Sequence, residues 1–407
     1  MSTLLALDIG TEFVKAVIAK SGKKGQLEVI GVGKARQDLS NMHAGAIADI
    51  PGVVSVCEKA LSDAEDEAGE TAKLAVVGMA GELVKGNTTT VKYHRENGNR
   101  PITEEEMNEI INKVQQKSGE ITKKNIVLET GNENTEIRLI NSAIISLSID
   151  GYPVSNPIGF KGSELSIQFY TAFAPLIHIA AIEKVCAELN LELLAIAVEP
   201  FAICRACLGD NLESKFSSIV IDIGGGTTDI AIIDDGGIAG TKMFSIGGRN
   251  FTKQIASALD VDYETAENYK LDLEHSDLDD HSKEKVKKII DKNVDVWLSG
   301  IKVVIDDFNL ETSLPKTILL CGGGSGLSAL QEALAVSDWY QDLPFNRRPI
   351  IYLVDIKDLP DLTFKNKDQL DYSYMTALGL LRVGLDTAAS VPSSEGLKAK
   401  LSRLLQK

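Results

Sequence analysis

Two stretches built on one plan carry the chemistry of this 407-residue chain. They are LALDIGTEFVKAVIA (residues 5–19) and IVIDIGGGTTDIAII (residues 219–233). Each reads as an apolar strand, an acidic residue, a Gly/Thr turn and a second apolar strand. The first turn holds Asp8, Gly10 and Thr11; the second holds Asp222, Gly224, Gly225, Gly226, Thr227, Thr228 and Asp229. A glycine turn lets backbone N–H groups approach a phosphate closely. The hydroxyls add donors, and an aspartate at a strand end can hold a hydrated Mg2+. The first turn alone is also compatible with an ordinary hairpin. Three consecutive glycines and two threonines between buried strands point to backbone that meets a ligand. A third glycine turn, Gly322, Gly323, Gly324, Ser325 and Gly326, follows an apolar strand and opens a helix. Its flat backbone can take a base or a sugar-phosphate, although a generic strand–helix turn has the same form. Taken together, the three turns predict a nucleotide gripped from two sides by duplicated halves.

The elements that must position these turns can be read from periodicity. Residues 3–34 predict three antiparallel strands broken at Ser21–Gly25, followed by a helix over 51–68 with Pro51 in its first turn. LAVVGMAG (74–81) predicts a strand. Residues 82–165 differ in texture: a polar segment, a helix from Thr103 with a capping box to Glu106, two or more strands, and a turn-rich stretch. They read as a small inserted β/α module, after which LSIQFYTAFAP resumes the first domain and a helix covers 176–189. The second half starts near Glu199, with an acidic helical stretch over 261–312 and an Ala/Leu-rich helix near 373–385. The expected division is 1–81 plus 166–198 (first domain), 82–165 (insertion), 199–245 plus 314–385 (second domain), 246–313 (its outer lobe), 386–395 (linker) and 396–407 (terminal helix).

Composition sets the bounds. The length suggests at least two domains, and 44% hydrophobic with 25% charged residues is ordinary for a globular protein. A net charge of −16 argues against non-specific nucleic-acid binding. The five cysteines are few and lie in apolar segments, which suits a reducing cytoplasm. Cys204 and Cys207 form a CxxC in an Ala-rich helical stretch, read as small buried residues, with no second CxxC to complete a zinc site. The acidic cluster from Glu274 to His281 lacks ligand spacing and reads as a solvated loop. The start of the chain enters a strand directly, and no apolar run spans a bilayer, so neither a signal peptide nor a membrane span is expected.

The order of these motifs resembles the actin/heat-shock-chaperone/sugar-kinase ATPase superfamily: first turn, Glu199–Pro200, second turn, the Ala266–Glu267–x–x–Lys270 segment, then the turn at 321–330. That resemblance implies a two-domain actin-like α/β fold that binds ATP and Mg2+ between its halves. It assigns the phosphates to Thr11, Thr227, Thr228 and Lys15, and Mg2+ to Asp8 and Asp222 chiefly through water. Glu267 and Lys270 would reach the ribose and adenine, and Glu199 would position the attacking water. Considered without the resemblance, Glu267 and Lys270 are a solvated helix pair. Within the superfamily the chain is similar to the FtsA family of bacterial cell-division proteins over nearly its whole length. The insertion falls where that family carries its extra subdomain, and the run to Asn156–Pro157–Ile158–Gly159 looks like the end of it.

The tail GLKAKLSRLLQK places Leu397, Leu401, Leu404 and Leu405 within an arc of roughly 100° on a helix. Lys398, Lys400, Arg403 and Lys407 lie outside that arc. Preceded by a Ser/Pro linker, this reads as a short amphipathic anchor, bound through many copies in a polymer, or else as a helix docked on its own domain. Such tails in the family often carry Trp or Phe, and this one has neither. The FtsA resemblance therefore implies a peripheral protein on the cytoplasmic face of the inner membrane. It would have at most weak ATPase activity, polymerise with itself, and recruit the tubulin-like protein FtsZ and other division proteins to the septum. A partner surface is implied at roughly 246–318. The pilus-assembly protein PilM shares the insertion, which keeps open a scaffold that binds a short peptide of a membrane partner. A small-molecule kinase is the third alternative, but no substrate cleft with a general base is legible.

Overall fold

The computed structural model describes residues 3–22, 26–80, 84–209, 215–273, 276–308, 310, 313–366 and 369–388. The tail 396–407 and all but the first three residues of the expected linker lie outside the described residues, as do Glu274 and His275.

The first sheet grows from the first phosphate-type turn. Strands β1 (Thr3–Ile9), β2 (Phe13–Ser21) and β3 (Leu27–Arg36) pair antiparallel in sequence order. A two-stranded ribbon, β4 (Met42–His43) and β5 (Ala46–Ile47), leads into helix α1 (Ile50–Ala68). Pro51 opens that helix, and Gly69 ends it in the left-handed region at φ 73°. Helix α1 is the crossover to β6 (Leu74–Met79), which pairs parallel with β1. Then follow β7 (Lys85–His94), α2 (Glu104–Thr130), β8 (Ile137–Ile149), β9 (Tyr152–Pro153) and β10 (Glu164–Pro175). Helix α3 (Leu176–Glu188) returns the chain to β11 (Glu192–Val198), which pairs parallel with β6.

After α4 (Glu199–Leu208) the plan repeats. Strands β12 (Ser218–Ile223), β13 (Thr228–Asp234) and β14 (Gly237–Phe244) pair antiparallel. Helices α5 (Gly248–Leu259), α6 (Tyr263–Leu271) and α7 (Asp280–Asp306) lead to β15 (Thr317–Cys321), which is parallel to β12. Helix α8 (Ser328–Val336) then crosses to β16 (Ile350–Leu353), parallel to β15. Strand β17 (Leu362–Phe364) and helix α9 (Met375–Ala388) complete the described chain. The two sheets run β11-β6-β1-β2-β3-β17 and β16-β15-β12-β13-β14-β7-β10-β8-β9. Each therefore contains the same five-strand pattern of two antiparallel pairings followed by two parallel ones. Helices α1 and α3 cover one face of the first sheet, α4 and α9 fill the space between the sheets, and α5, α7 and α8 cover the far face of the second.

The structure corrects three expectations. The polar segment 86–101 contains strand β7, whose outward residues are exposed and whose apolar signal is correspondingly weak. LSIQFYTAFAP does not rejoin the first sheet. As β10 it pairs with β7 and β8, and the inserted strands continue the second half's sheet through β14 and β7. The end of the expected second domain crosses back: β17 pairs with β3, and α9 packs on β1, β2 and β6. Nearly every residue of α9 from Met375 to Gly384 is buried, because the helix is enclosed by α4 as well as by the sheet.

Candidate functional site

The two turns meet across a cleft enclosing a cavity of about 340 Å3, a volume in the usual range of small-ligand sites. Asp8 ends β1 directly opposite Lys15 on β2, and the Lys15 ammonium donates to Asp8 Oδ2 at 3.1 Å. Burial would lower the Lys15 pKa, but the attraction of Asp8, Asp222 and Glu199 outweighs it and raises it. Asp222 occupies the corresponding end of β12 and accepts a hydrogen bond from Thr376 Oγ1 on α9 at 2.9 Å. Burial pushes Asp222 up to about 6, against the pull of Lys15 and Thr376. Asp229 on β13 is pushed up to about 7 by burial and then by Asp222, while Thr227 Oγ1 donates to it at 3.0 Å. Glu199 opens α4 at the floor of the cleft. Burial, then repulsion from Asp8, Asp229 and Asp222, holds its carboxyl well above the usual range.

Three buried carboxylates, Asp8, Asp222 and Glu199, thus share Lys15, with Asp229 buried behind Asp222. Hard oxygen donors in excess of their positive partners suit a divalent cation. Among the described residues no three His, Cys, Asp or Glu side chains are arranged to chelate a metal.

Gly10, Thr11, Gly224, Gly225 and Thr227 line the cavity, as do Gly322, Gly323 and Gly324 of the third turn. Gly322 has φ 81°, and a Cβ there would fall 1.9 Å from Asp222 Oδ1, so no other residue fits. A Cβ at Gly323 would meet nothing within 4 Å, so that backbone opens onto free space. Glu267 and Lys270 also line the cavity. They are not a solvated pair: Lys270 is buried, and its Nζ donates to Glu267 Oε2 at 2.7 Å, Thr252 Oγ1 at 3.0 Å and the Gly248 carbonyl at 3.2 Å.

Three expected contacts are turned elsewhere. The Thr228 hydroxyl donates to the Ile246 carbonyl and accepts from Trp297 Nε1, so it holds the second half's core instead of facing the cleft. Ser325 is buried, and its hydroxyl donates to the Cys321 carbonyl. Gly226 packs on Thr11 and lies off the cavity lining. In all three cases the turn motif is present, but the side of the turn facing the ligand is set by pairing with neighbouring elements. Cys204 and Cys207 sit on α4 as free thiols, with burial raising both.

Several lining residues carried no local signal. Lys34, opposite Lys15 on β3, lies 4.2 Å above the Phe13 ring. Glu12, Arg36, Arg249 and Tyr263 line one end of the cleft, and Asp371, Tyr372, Ser373 and Thr376 line another. Ser373 Oγ is buried with no hydrogen-bond partner among the described residues, which leaves a polar group for a ligand to satisfy.

Comparison with known proteins matches both the shape and the sequence. The family model described as Cell division protein FtsA matches residues 219–355. The Cell division protein FtsA of Enterococcus faecalis is 25% identical over 346 residues, covering 80% of this chain and 74% of that protein. That of Pseudomonas aeruginosa is 24% identical over 420 residues, covering 98% and 92%. A solved structure of a PilM–PilN type IV pilus biogenesis complex superposes with a TM-score of 0.66 at 16% identity, covering 94% of this chain and 98% of that one. Sheet order and superposition define an actin-like α/β fold with two repeated halves. In sequence the chain is FtsA-like across most of its length.

Proposed function

We propose that this chain binds ATP with Mg2+ in the cleft and serves in cell division as an FtsA-like, actin-like scaffold. The observation that carries this reading is the meeting of two duplicated Asp–Gly–Thr turns over a lysine and three buried carboxylates, in a chain FtsA-like in sequence. The backbone of Gly10, Gly224 and Gly225, the hydroxyls of Thr11 and Thr227, and Lys15 hold the phosphates. Asp8 and Asp222 hold hydrated Mg2+, which when bound would neutralise the phosphate charge. Glu267 and Lys270 take the nucleoside end, and the third turn lies beneath it. Glu199, whose carboxyl is raised by burial and then by repulsion from Asp8, Asp229 and Asp222, would position the attacking water. Turnover in this reading is slow, and ATP acts mainly as a conformational and assembly switch.

Anchoring belongs to the same proposal. Among the described residues no helix is long and apolar enough to cross a membrane. Leu397, Leu401, Leu404 and Leu405 with Lys398, Lys400, Arg403 and Lys407 would lie in the membrane surface, weakly per chain and strongly in a polymer. An FtsZ-type polymer and other division proteins are the partners this reading supplies. The test is co-sedimentation with anionic liposomes in ATP–Mg2+, comparing the full chain with one ending at Glu395. The expected result is that only the full chain pellets with lipid. If neither form pellets, the anchoring proposal falls and a PilM-like peptide-binding scaffold gains.

A further inference from the structure

The first turn carries an acidic residue that the phosphate chemistry does not use. Glu12 lies between Thr11 and Phe13, and both its oxygens are engaged. Oε1 accepts from Arg36 Nε at 2.9 Å, within the first half. Oε2 accepts from Arg249 Nε at 2.5 Å, and Arg249 belongs to α5 of the second half. The same arginine reaches the Gln37 carbonyl at 3.5 Å, and the Tyr263 hydroxyl lies 3.5 Å from Oε2. This bridge is shielded from water: the Arg249 side chain is 6% exposed and that of Glu12 is 15% exposed. The second glycine turn closes against the same residue, since a Cβ on Gly225 would sit 2.7 Å from Glu12 Cβ. Two contacts of different kinds, an ion pair and a glycine close approach, therefore converge on Glu12 from across the cleft.

Resting on the nucleotide reading above, we propose that Glu12 is a positioning residue whose pairing with Arg249 clasps the two halves over the cleft and slows the exit of an adenine nucleotide. The physical reason is the cost of separating the halves. Opening the cleft parts a largely desolvated charge pair and leaves Arg249 without its carboxylate, and losing one partner of such a pair acts mainly on dissociation rates. Lys302 supplies the control, because its pair with Asp342 stays within the second half, is exposed and lies off the cavity lining.

The experiment measures release of a fluorescent ATP analogue from the full chain with Mg2+, chased by unlabelled ATP. The variants are Glu12→Gln, Arg249→Gln, both together, and Lys302→Gln, each checked for folding by thermal melting. Glu12→Gln and Arg249→Gln are each expected to speed release by about fivefold or more, with the double variant no faster than the faster single. Lys302→Gln is expected to change release by less than about twofold. Should either main variant fail to fold, Arg249→Lys, which keeps the charge but loses the planar fork that meets Glu12, supplies a second probe, expected to speed release in the same sense. Unchanged release, or effects that multiply in the double variant, overturns the clasp while leaving nucleotide binding intact. Failure of the unmodified chain to bind the analogue overturns the nucleotide reading and the clasp with it.

Discussion

At the residue scale, the charge balance of the cleft makes the ligand-free chain sensitive to pH. Asp222 is held up at about 6 and Asp229 at about 7. Both lie above the unfolded carboxylate value of about 3.9, so the folded state binds these protons more tightly than the unfolded one. The stability they contribute is complete below about pH 4 and is lost as pH rises through the folded values. The ligand-free chain is therefore expected to melt at a lower temperature at about pH 8 than at about pH 5.5, and Asp222→Asn is expected to flatten that slope. Thermal melts of the two proteins across this range decide it, and equal slopes would overturn the assignment. Asp8, Asp222 and Lys15 were legible because each sits at a fixed distance from a glycine turn. Glu12, Arg249 and Ser373 were not, because nothing local marks a side chain whose partner lies more than two hundred residues away or which has no hydrogen-bond partner among the described residues.

At the scale of elements, local signals located helix starts well. Thr103 caps α2 as expected, its hydroxyl accepting from the Glu106 N–H at 3.2 Å. The Glu106 carboxylate instead pairs with Arg95, which holds it through two nitrogens at 2.6 and 2.9 Å and also donates to the Arg100 and Gly162 carbonyls. Thr103→Ala is expected to cost about 1 kcal/mol of stability, read by denaturant unfolding, and to speed hydrogen exchange in the first turn of α2. An unchanged midpoint would mean that the Arg95 contacts hold the helix start without the cap. Strand β7 escaped detection because Gly86 is its one buried residue and only Val91 and Tyr93 offer apolar, half-buried side chains, too few for an apolar stripe.

At the scale of the molecule, the second sheet is one surface running from β16 to the inserted strands, joined where β14 meets β7 at Gly240↔Asn87 and Thr241↔Gly86. The join is narrow and tightly packed. Tyr170 OH lies 3.0 Å from Thr241 Oγ1, and a Cβ at Gly86 would fall 2.0 Å from that hydroxyl oxygen and 2.5 Å from the Tyr170 oxygen. Gly86→Ala is expected to destabilise the chain by about 1–3 kcal/mol and to speed hydrogen exchange in β7 and β14, with α1 and β6 little changed. Protection lost evenly through the chain would mean that this junction is not a separable seam.

The sequence by itself determined the repeated strand–turn–strand units, the three glycine turns and the kind of ligand they suit. These depend on spacing along the backbone, and a few residues contain the whole signal. Tertiary structure alone decided which face of each turn meets the cavity, that Thr228 and Ser325 serve the core, and that α9 returns to the first sheet to bring Thr376 to Asp222. It also decided that the insertion extends the second sheet and that Glu12 meets Arg249. Those outcomes arise from pairing and burial between distant segments, where many polar or apolar sequences satisfy the same local pattern and only packing selects among them.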